Sequence, residues 1–191
     1  MKTNRKSNYD ISPMILNRWS PRAMSGEPLT EEEFMPLFEA ARWAPSSFNN
    51  QHWRFVYAKR DTKYWSDFFN LLGEWNQGWC KNAGLLVIVI SKKTLDMNGK
   101  TARTHSFDTG AAWENLALEG TRRGLAVHGM EGFDYDKAKK LLGLTDEYQV
   151  EAMVVIGKPG KKENFDEQYR TIENPSDRRP LSEIVFEGKF K

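Results

Sequence analysis

The run from Leu85 to Ile90 is the longest uninterrupted apolar stretch of the chain, six residues of Leu, Val and Ile. It is far too short to cross a membrane, and its β-branched side chains favour a strand. It shows no alternation of apolar and polar positions. Leu85–Ser91 therefore reads as a strand that is apolar on both faces and central in its sheet.

The elements around it mix helices and strands without strict βαβ alternation. A short helix fits residues 11–17. Thr30 and Glu33 form a capping box, and Phe34, Leu37, Phe38 and Ala41 follow at helical spacing, so a helix runs to Ala44 and stops before Pro45. Trp53–Ala58 alternates and reads as a strand. Helices are expected over 62–72 and 74–82, and a polar loop over 92–106. A long helix from Asp108 to Arg123 is closed by Gly124. A short strand follows at Ala126–His128, then a helix capped by Asp134 and ending at Gly143, then a buried strand, Val150–Gly157. At 191 residues one domain is expected. Residues 1–10 read as a flexible N-terminal arm, 11–160 as the domain and 161–191 as a charged C-terminal arm. That second arm holds one apolar patch, Leu181 to Phe186.

Several chemistries are excluded early. The formal net charge of +2 is too small to mark a nucleic-acid binder. Cys80 is the single cysteine, so no internal disulfide and no cysteine cluster can form, which fits a reducing, cytoplasmic setting. No apolar segment follows Lys2, Arg5 and Lys6, which argues against a secretory leader. His52, His105 and His128 are far apart in sequence and no His-Glu-x-x-His is present, so no metal site is expected. No glycine-rich dinucleotide or triphosphate cradle is present either. Aromatic residues make up 13% of the chain, with seven Trp. Beyond filling a core, they can wall a pocket for a flat ring.

Four segments could carry chemistry. Arg18-Trp19-Ser20-Pro21-Arg22 is extended, so Arg18, Ser20 and Arg22 share one face and suit a phosphate or a polar ring edge. Pro45-Ser46-Ser47-Phe48-Asn49-Asn50-Gln51 offers uncharged donors and acceptors just past a helix end. Glu131-Gly132-Phe133-Asp134 allows close backbone approach at Gly132 and leads into a helix N-terminus. Arg178-Arg179-Pro180-Leu181 adds two cations. Taken singly, each also reads as a solvated basic face or an ordinary turn.

Taken in order, these segments resemble the FMN-dependent nitroreductases, over nearly the whole length from Arg18 to about Val185. The motifs are Arg18-x-Ser20-x-Arg22, then Ala44-Pro45-Ser46-Ser47-Phe48-Asn49-Asn50-Gln51-His52-Trp53. Asn76 stands ahead of the central strand, Glu131-Gly132-Phe133-Asp134 follows the next strand, and Arg178-Arg179 precedes Pro180-Leu181. His52 stands where the family usually has Pro, and Trp79 where some members have Lys. The resemblance implies an α+β fold, a mostly antiparallel sheet flanked by helices. It also implies an intertwined homodimer whose C-terminal arm packs on the partner subunit. FMN would be held by Arg18, Trp19, Ser20, Arg22, Pro45, Ser46, Ser47, Asn49, Gln51, Asn76, Glu131, Gly132, Arg178 and Arg179. The implied activity moves hydride from NAD(P)H to a small organic acceptor, nitroaromatic, quinone or related, by a ping-pong mechanism. Flavin N5 rather than any catalytic side chain would carry the hydride. The alternative is a non-catalytic flavin-binding or redox-sensing module. Neither reading involves nucleic acid, a membrane or a metal.

Overall fold

The computed structural model describes residues 3–190; residues 1, 2 and 191, which belong to the two expected arms, lie outside the described residues. Four strands form one antiparallel sheet: β1 (Trp53–Lys59), β2 (Leu85–Lys92), β3 (Ala126–Met130) and β4 (Tyr148–Gly157). Their spatial order is β1-β2-β4-β3, which places the apolar β2 inside the sheet as its sequence requires. Among the described residues seven α-helices accompany it: α1 (Pro13–Asn17), α2 (Glu31–Arg42), α3 (Trp65–Phe69), α4 (Glu74–Cys80), α5 (His105–Arg122), α6 (Tyr135–Leu141) and α7 (Glu167–Arg170). The fold is α+β.

The alternation of side chains along β2 divides the interior in two. Leu86, Ile88 and Ile90 point into a core shared with Phe68, Leu71, Trp79, Ala138 and Tyr169. Leu85, Val87 and Val89 point to the other side, against Phe34, Leu37 and Ala41 of α2 and Ala112 and Leu116 of α5. Burial of both faces explains why β2 carries no polar position until Ser91. The capping box is formed, with Thr30 N–H donating to Glu33 Oε2 at 2.8 Å.

Several element boundaries depart from the sequence reading. The expected helix over 62–72 shrinks to α3. Asp61 adopts φ +63° and Thr62 N–H and Oγ1 both bond the Lys59 carbonyl, so residues 60–64 turn instead of winding. At its other end Leu71 accepts from Asp134 N–H at 2.8 Å and Leu72 bridges Phe133, which draws the chain out of helix. The long helix begins at His105, three residues before Asp108. Strand β3 continues through Gly129 to Met130, and β4 starts at Tyr148, opposite Lys92. A register shift at Val89/Ile90 leaves Glu151 as the extra residue of β4, and its carboxylate accepts from Ser106 Oγ at 2.7 Å.

The two termini behave differently. Thr3 N–H donates to Asn17 Oδ1 at 2.8 Å, tying the start of the chain to the end of α1. The apolar residues of the C-terminal segment find little cover in their own chain: Leu181, Ile184 and Val185 are exposed, Val185 by 67%. Among the described residues, no helix is long and apolar enough to cross a membrane.

Candidate functional site

The site is built around β3 and the extended segment that crosses beside it. Arg18 ends α1, and Arg18 Nη1 reaches Ser20 Oγ at 3.3 Å, so the two share one face as expected for extended chain. The segment is held from behind by Glu173, a buried carboxylate in the C-terminal stretch. Its oxygens accept from the N–H groups of Arg22 (2.8 and 3.0 Å) and Ala23 (2.8 Å). His128 of β3 lies against the carbonyl of Pro21, with Nδ1 at 3.3 Å. Burial, and then the Arg22 charge, push the His128 pKa down to about 4, so the ring stays neutral near pH 7 and adds no charge.

Three clefts run together along this face. One, of about 460 Å³, lies between α4 and the end of β3 and is bounded by Arg22, residues 73–76, Trp79, His128 and residues 129–132. A second, of about 380 Å³, is bounded by Arg5, Arg18, Trp19, Ser20, Arg22, His128 and Arg178 among others, with no carboxylate in its wall. A third, of about 560 Å³, shares Arg18 and Ser20 with the second and Gly129, Met130 and Glu131 with the first. The groove therefore has a cationic end and an end of mixed charge with two Trp, with Arg22 and His128 at their junction.

Asn76 is fixed at the mixed end. Its Nδ2 donates to the Gly132 carbonyl at 2.9 Å and its Oδ1 accepts from Trp79 Nε1–H at 3.0 Å. Trp79, which stands where a Lys would have matched the family more closely, thus sets the orientation of the Asn76 amide. It also lies under Arg22, whose Cζ is 5.7 Å from the indole centroid. A Cβ at position 132 would stand 2.8 Å from Asn76 Nδ2, so a side chain there would displace the Asn76 amide. Arg22 Nε is buried and without a hydrogen-bond partner among the described residues. Such a donor is costly to leave unpaired, and a bound acceptor would relieve it. Cys80 takes no part: burial pushes its thiol pKa up, and it packs against Met130.

The loop from Pro45 to Gln51 lies elsewhere. None of Pro45, Ser46, Ser47, Asn49 and Gln51 bounds these three clefts. The loop is anchored to the start of α5, where Ser47 N–H donates to Asp108 Oδ2 at 3.0 Å, and Gln51 N–H donates to Ser46 Oγ at 3.0 Å. His52, fully buried beneath it, contacts the Lys92 carbonyl through Nδ1 at 2.7 Å and lies 3.7 Å from Asp108 Oδ2 through Nε2. Phe48, Asn49 and Gln51 all have φ between 51° and 54°. Three non-glycine residues in left-handed backbone are unusual, and the conformation survives only where surroundings over-determine it.

The remaining sequence candidates divide as follows. The groove gathers Arg18, Trp19, Ser20, Arg22, Asn76, Glu131, Gly132 and Arg178. Arg179 is 81% exposed on its side chain, outside the groove, with Glu183 at 3.9 Å. The sequence reading missed Arg5, Trp79, His128 and Glu173. Only Trp79 carried a signal, its three-residue spacing from Asn76. Among the described residues, no group of three His, Cys, Asp or Glu is arranged to hold a metal ion.

Comparison with known proteins matches residues 15–72 and 69–158 to the model of the Nitroreductase family. A crystal structure described as an oxidoreductase containing FMN is 43% identical, covers 99% of this chain and 97% of its own, and superposes with a TM-score of 0.94. Protein DrgA of Synechocystis (strain PCC 6803) is 30% identical over 168 residues, 70% of this chain and 79% of its own. An FMN complex from Desulfovibrio desulfuricans shares the fold at 23% identity and a TM-score of 0.72, covering 93% of this chain and 96% of its own.

Proposed function

Because this chain belongs to the nitroreductase family and is a flavin oxidoreductase by that membership, we propose that it binds FMN in the groove along β3 and transfers hydride from NAD(P)H to a small organic acceptor. The acceptor class is nitroaromatic, quinone or a related flat, electron-poor ring. The observation that carries the reading is the groove itself: four guanidiniums without a carboxylate at one end, and at the other a space bounded by Trp75, Asn76, Trp79 and the stretch from Gly129 to Gly132. A phosphate monoester attached to a flat heterocycle has that same asymmetry.

Bound there, FMN supplies the two-electron chemistry, as cofactors generally do while the protein binds and tunes them. The work of this chain is to hold and bias the cofactor. Arg18, Ser20 and Arg178 hold the phosphate, with Trp19 beside them and Arg179 nearby in the tail. Asn76, with its amide orientation set by Trp79, and the N–H groups of Glu131 and Gly132 serve the ring edge. Arg22 gives that edge a positive charge and uses the Nε that otherwise lacks a partner. Replacing Arg22 by Ala is expected to lower the two-electron potential of bound FMN by on the order of 30–60 mV, since a nearby cation favours the more negative, reduced form. Spectroelectrochemistry reads this directly, and an unchanged or raised potential would contradict the role.

The protein works as a homodimer in which Pro45, Ser46, Ser47, Asn49 and Gln51 face the groove of the partner subunit, and residues 161–191 pack on that partner. Three large side chains near the loop, Trp43, Phe48 and Phe107, are 72–81% exposed, which supports a covered surface there. The exposed Leu181, Ile184 and Val185 support the packing of the arm. The single buried Cys80 fits a cytoplasmic enzyme.

The test is spectral and kinetic. Purified protein is expected to show oxidised-flavin absorption and to oxidise NAD(P)H with a quinone or nitroaromatic acceptor. One shared site gives parallel double-reciprocal lines. Flavin without turnover would make the protein a non-catalytic flavin module, and intersecting lines would require two separate substrate sites.

A further inference from the structure

The N-terminal segment, which reads as an arm, returns to the cationic end of the groove. Arg5 Nη1 donates to the carbonyls of Arg18 at 2.7 Å and Leu16 at 3.4 Å. Arg5 Nε is buried and has no hydrogen-bond partner among the described residues. The cleft of about 380 Å³ that it faces is lined by Arg5, Arg18, Arg22 and Arg178 with Ser20 and Ser176. In this group the ion pair formed is that of Arg18 Nε with Glu114, at 3.6 Å; Arg5, Arg22 and Arg178 form none among the described residues. Burial, and then the charges of Arg178 and Arg18, lower the Arg5 pKa from its ordinary value. Next to it, Thr3, Asn4, Arg5 and Lys6 face Asn174, Pro175 and Asp177 across a further cleft, so the N-terminal segment meets the stretch just before Arg178 beside this group.

Four guanidiniums in one cleft repel one another, and a buried N–H without an acceptor is costly. A phosphate monoester brings close to two negative charges and three acceptor oxygens, which answers both. We propose that Arg5 is a ligand of the phosphate, so that the N-terminal segment closes the anion end of the groove together with Arg18 and Arg178. This rests on the FMN reading given above. A clamp that only held α1 would account for Arg5 Nη1, but it leaves Nε without purpose.

The experiment titrates the full-length chain, freed of flavin, with FMN and with riboflavin, which lacks the phosphate, following flavin fluorescence. The proteins compared are the parent, Arg5→Gln, Arg5→Lys and Arg18→Ala. Arg5→Gln is expected to raise the FMN Kd about tenfold and leave the riboflavin Kd unchanged, with Arg5→Lys between it and the parent. Equal losses for both flavins, as a mere clamp would give, or no loss for either, would overturn the assignment of Arg5. If Arg18→Ala still discriminates FMN from riboflavin in that case, the FMN reading stands without Arg5. If neither arginine does, both fall.

Discussion

An Arg18→Ala variant is expected to bind FMN about thirtyfold more weakly than the parent protein, while its affinity for riboflavin changes little. The loss is electrostatic and local. Arg18 ends α1 with its guanidinium in the groove, 3.3 Å from Ser20 Oγ, and its side chain is only 15% exposed. A charge-assisted contact made by a largely desolvated guanidinium is worth about 2 kcal/mol, which is about thirtyfold in a dissociation constant. Its loss also leaves Glu114 without its partner at 3.6 Å, adding an unopposed negative charge near an incoming anion. Riboflavin lacks the phosphate and meets neither effect directly. The same titration separates the arginine pair of the tail. Arg178 bounds the cationic cleft, whereas Arg179 is turned toward Glu183. Arg178→Ala is therefore expected to resemble Arg18→Ala, and Arg179→Ala to have the smaller effect. Fluorescence titration with the two flavins decides, and equal losses of FMN and riboflavin in Arg18→Ala would remove the phosphate from this end of the groove.

The parts of this molecule that were legible in its sequence are those fixed by local chemistry. The apolar run at Leu85–Ile90 has nowhere to go except the middle of a sheet, and it is there, with alternate residues in two cores. Thr30 and Glu33 cap a helix because the two bonds close within four residues. The alternation of Arg18, Ser20 and Arg22 survives because Pro21 keeps the segment extended. What was not legible depends on residues distant in sequence. The helix expected over 62–72 is cut short by contacts from Phe133 and Asp134. Glu173 gives no signal in the sequence, yet it holds the backbone of Arg22 and Ala23 from some 150 positions away. Arg5 sits in a polar stretch of ordinary disordered composition, and its place depends on the end of α1. His52, where a Pro was the expected residue, is buried between the Lys92 carbonyl and Asp108, which periodicity cannot reveal.

The placement of the Pro45–Gln51 loop away from the groove of its own chain has the largest consequence, and mixed dimers test it. In a two-fold dimer whose sites each draw on both chains, Arg22 of one subunit serves the same site as Ser47 and Asn49 of the other. Consider one chain carrying Arg22→Ala and another carrying Asn49→Ala, each as a homodimer with little activity. In the heterodimer one site collects both substitutions and the other collects neither. Purified heterodimer, made by co-expression with separable tags, is therefore expected to recover about half of parental NAD(P)H oxidation, one intact site in two. If Arg22 and Asn49 served a site within one chain, each site would keep one lesion and mixing would restore nothing. The fold makes the first outcome the expected one. Asn49 lies two residues beyond Ser47, whose N–H is anchored to Asp108 of α5, whereas Arg22 is anchored to Glu173 and lies over Trp79. The three contiguous clefts that contain Arg22 and Arg18 include no residue of the loop. The left-handed backbone at Phe48, Asn49 and Gln51 is braced by the bonds of Gln51 N–H to Ser46 Oγ and of Ser47 N–H to Asp108, which suits a loop that presents donors to a site it does not itself enclose. Heterodimer activity no higher than that of the two homodimers, with folded heterodimer shown to be present, would return the loop to a structural role.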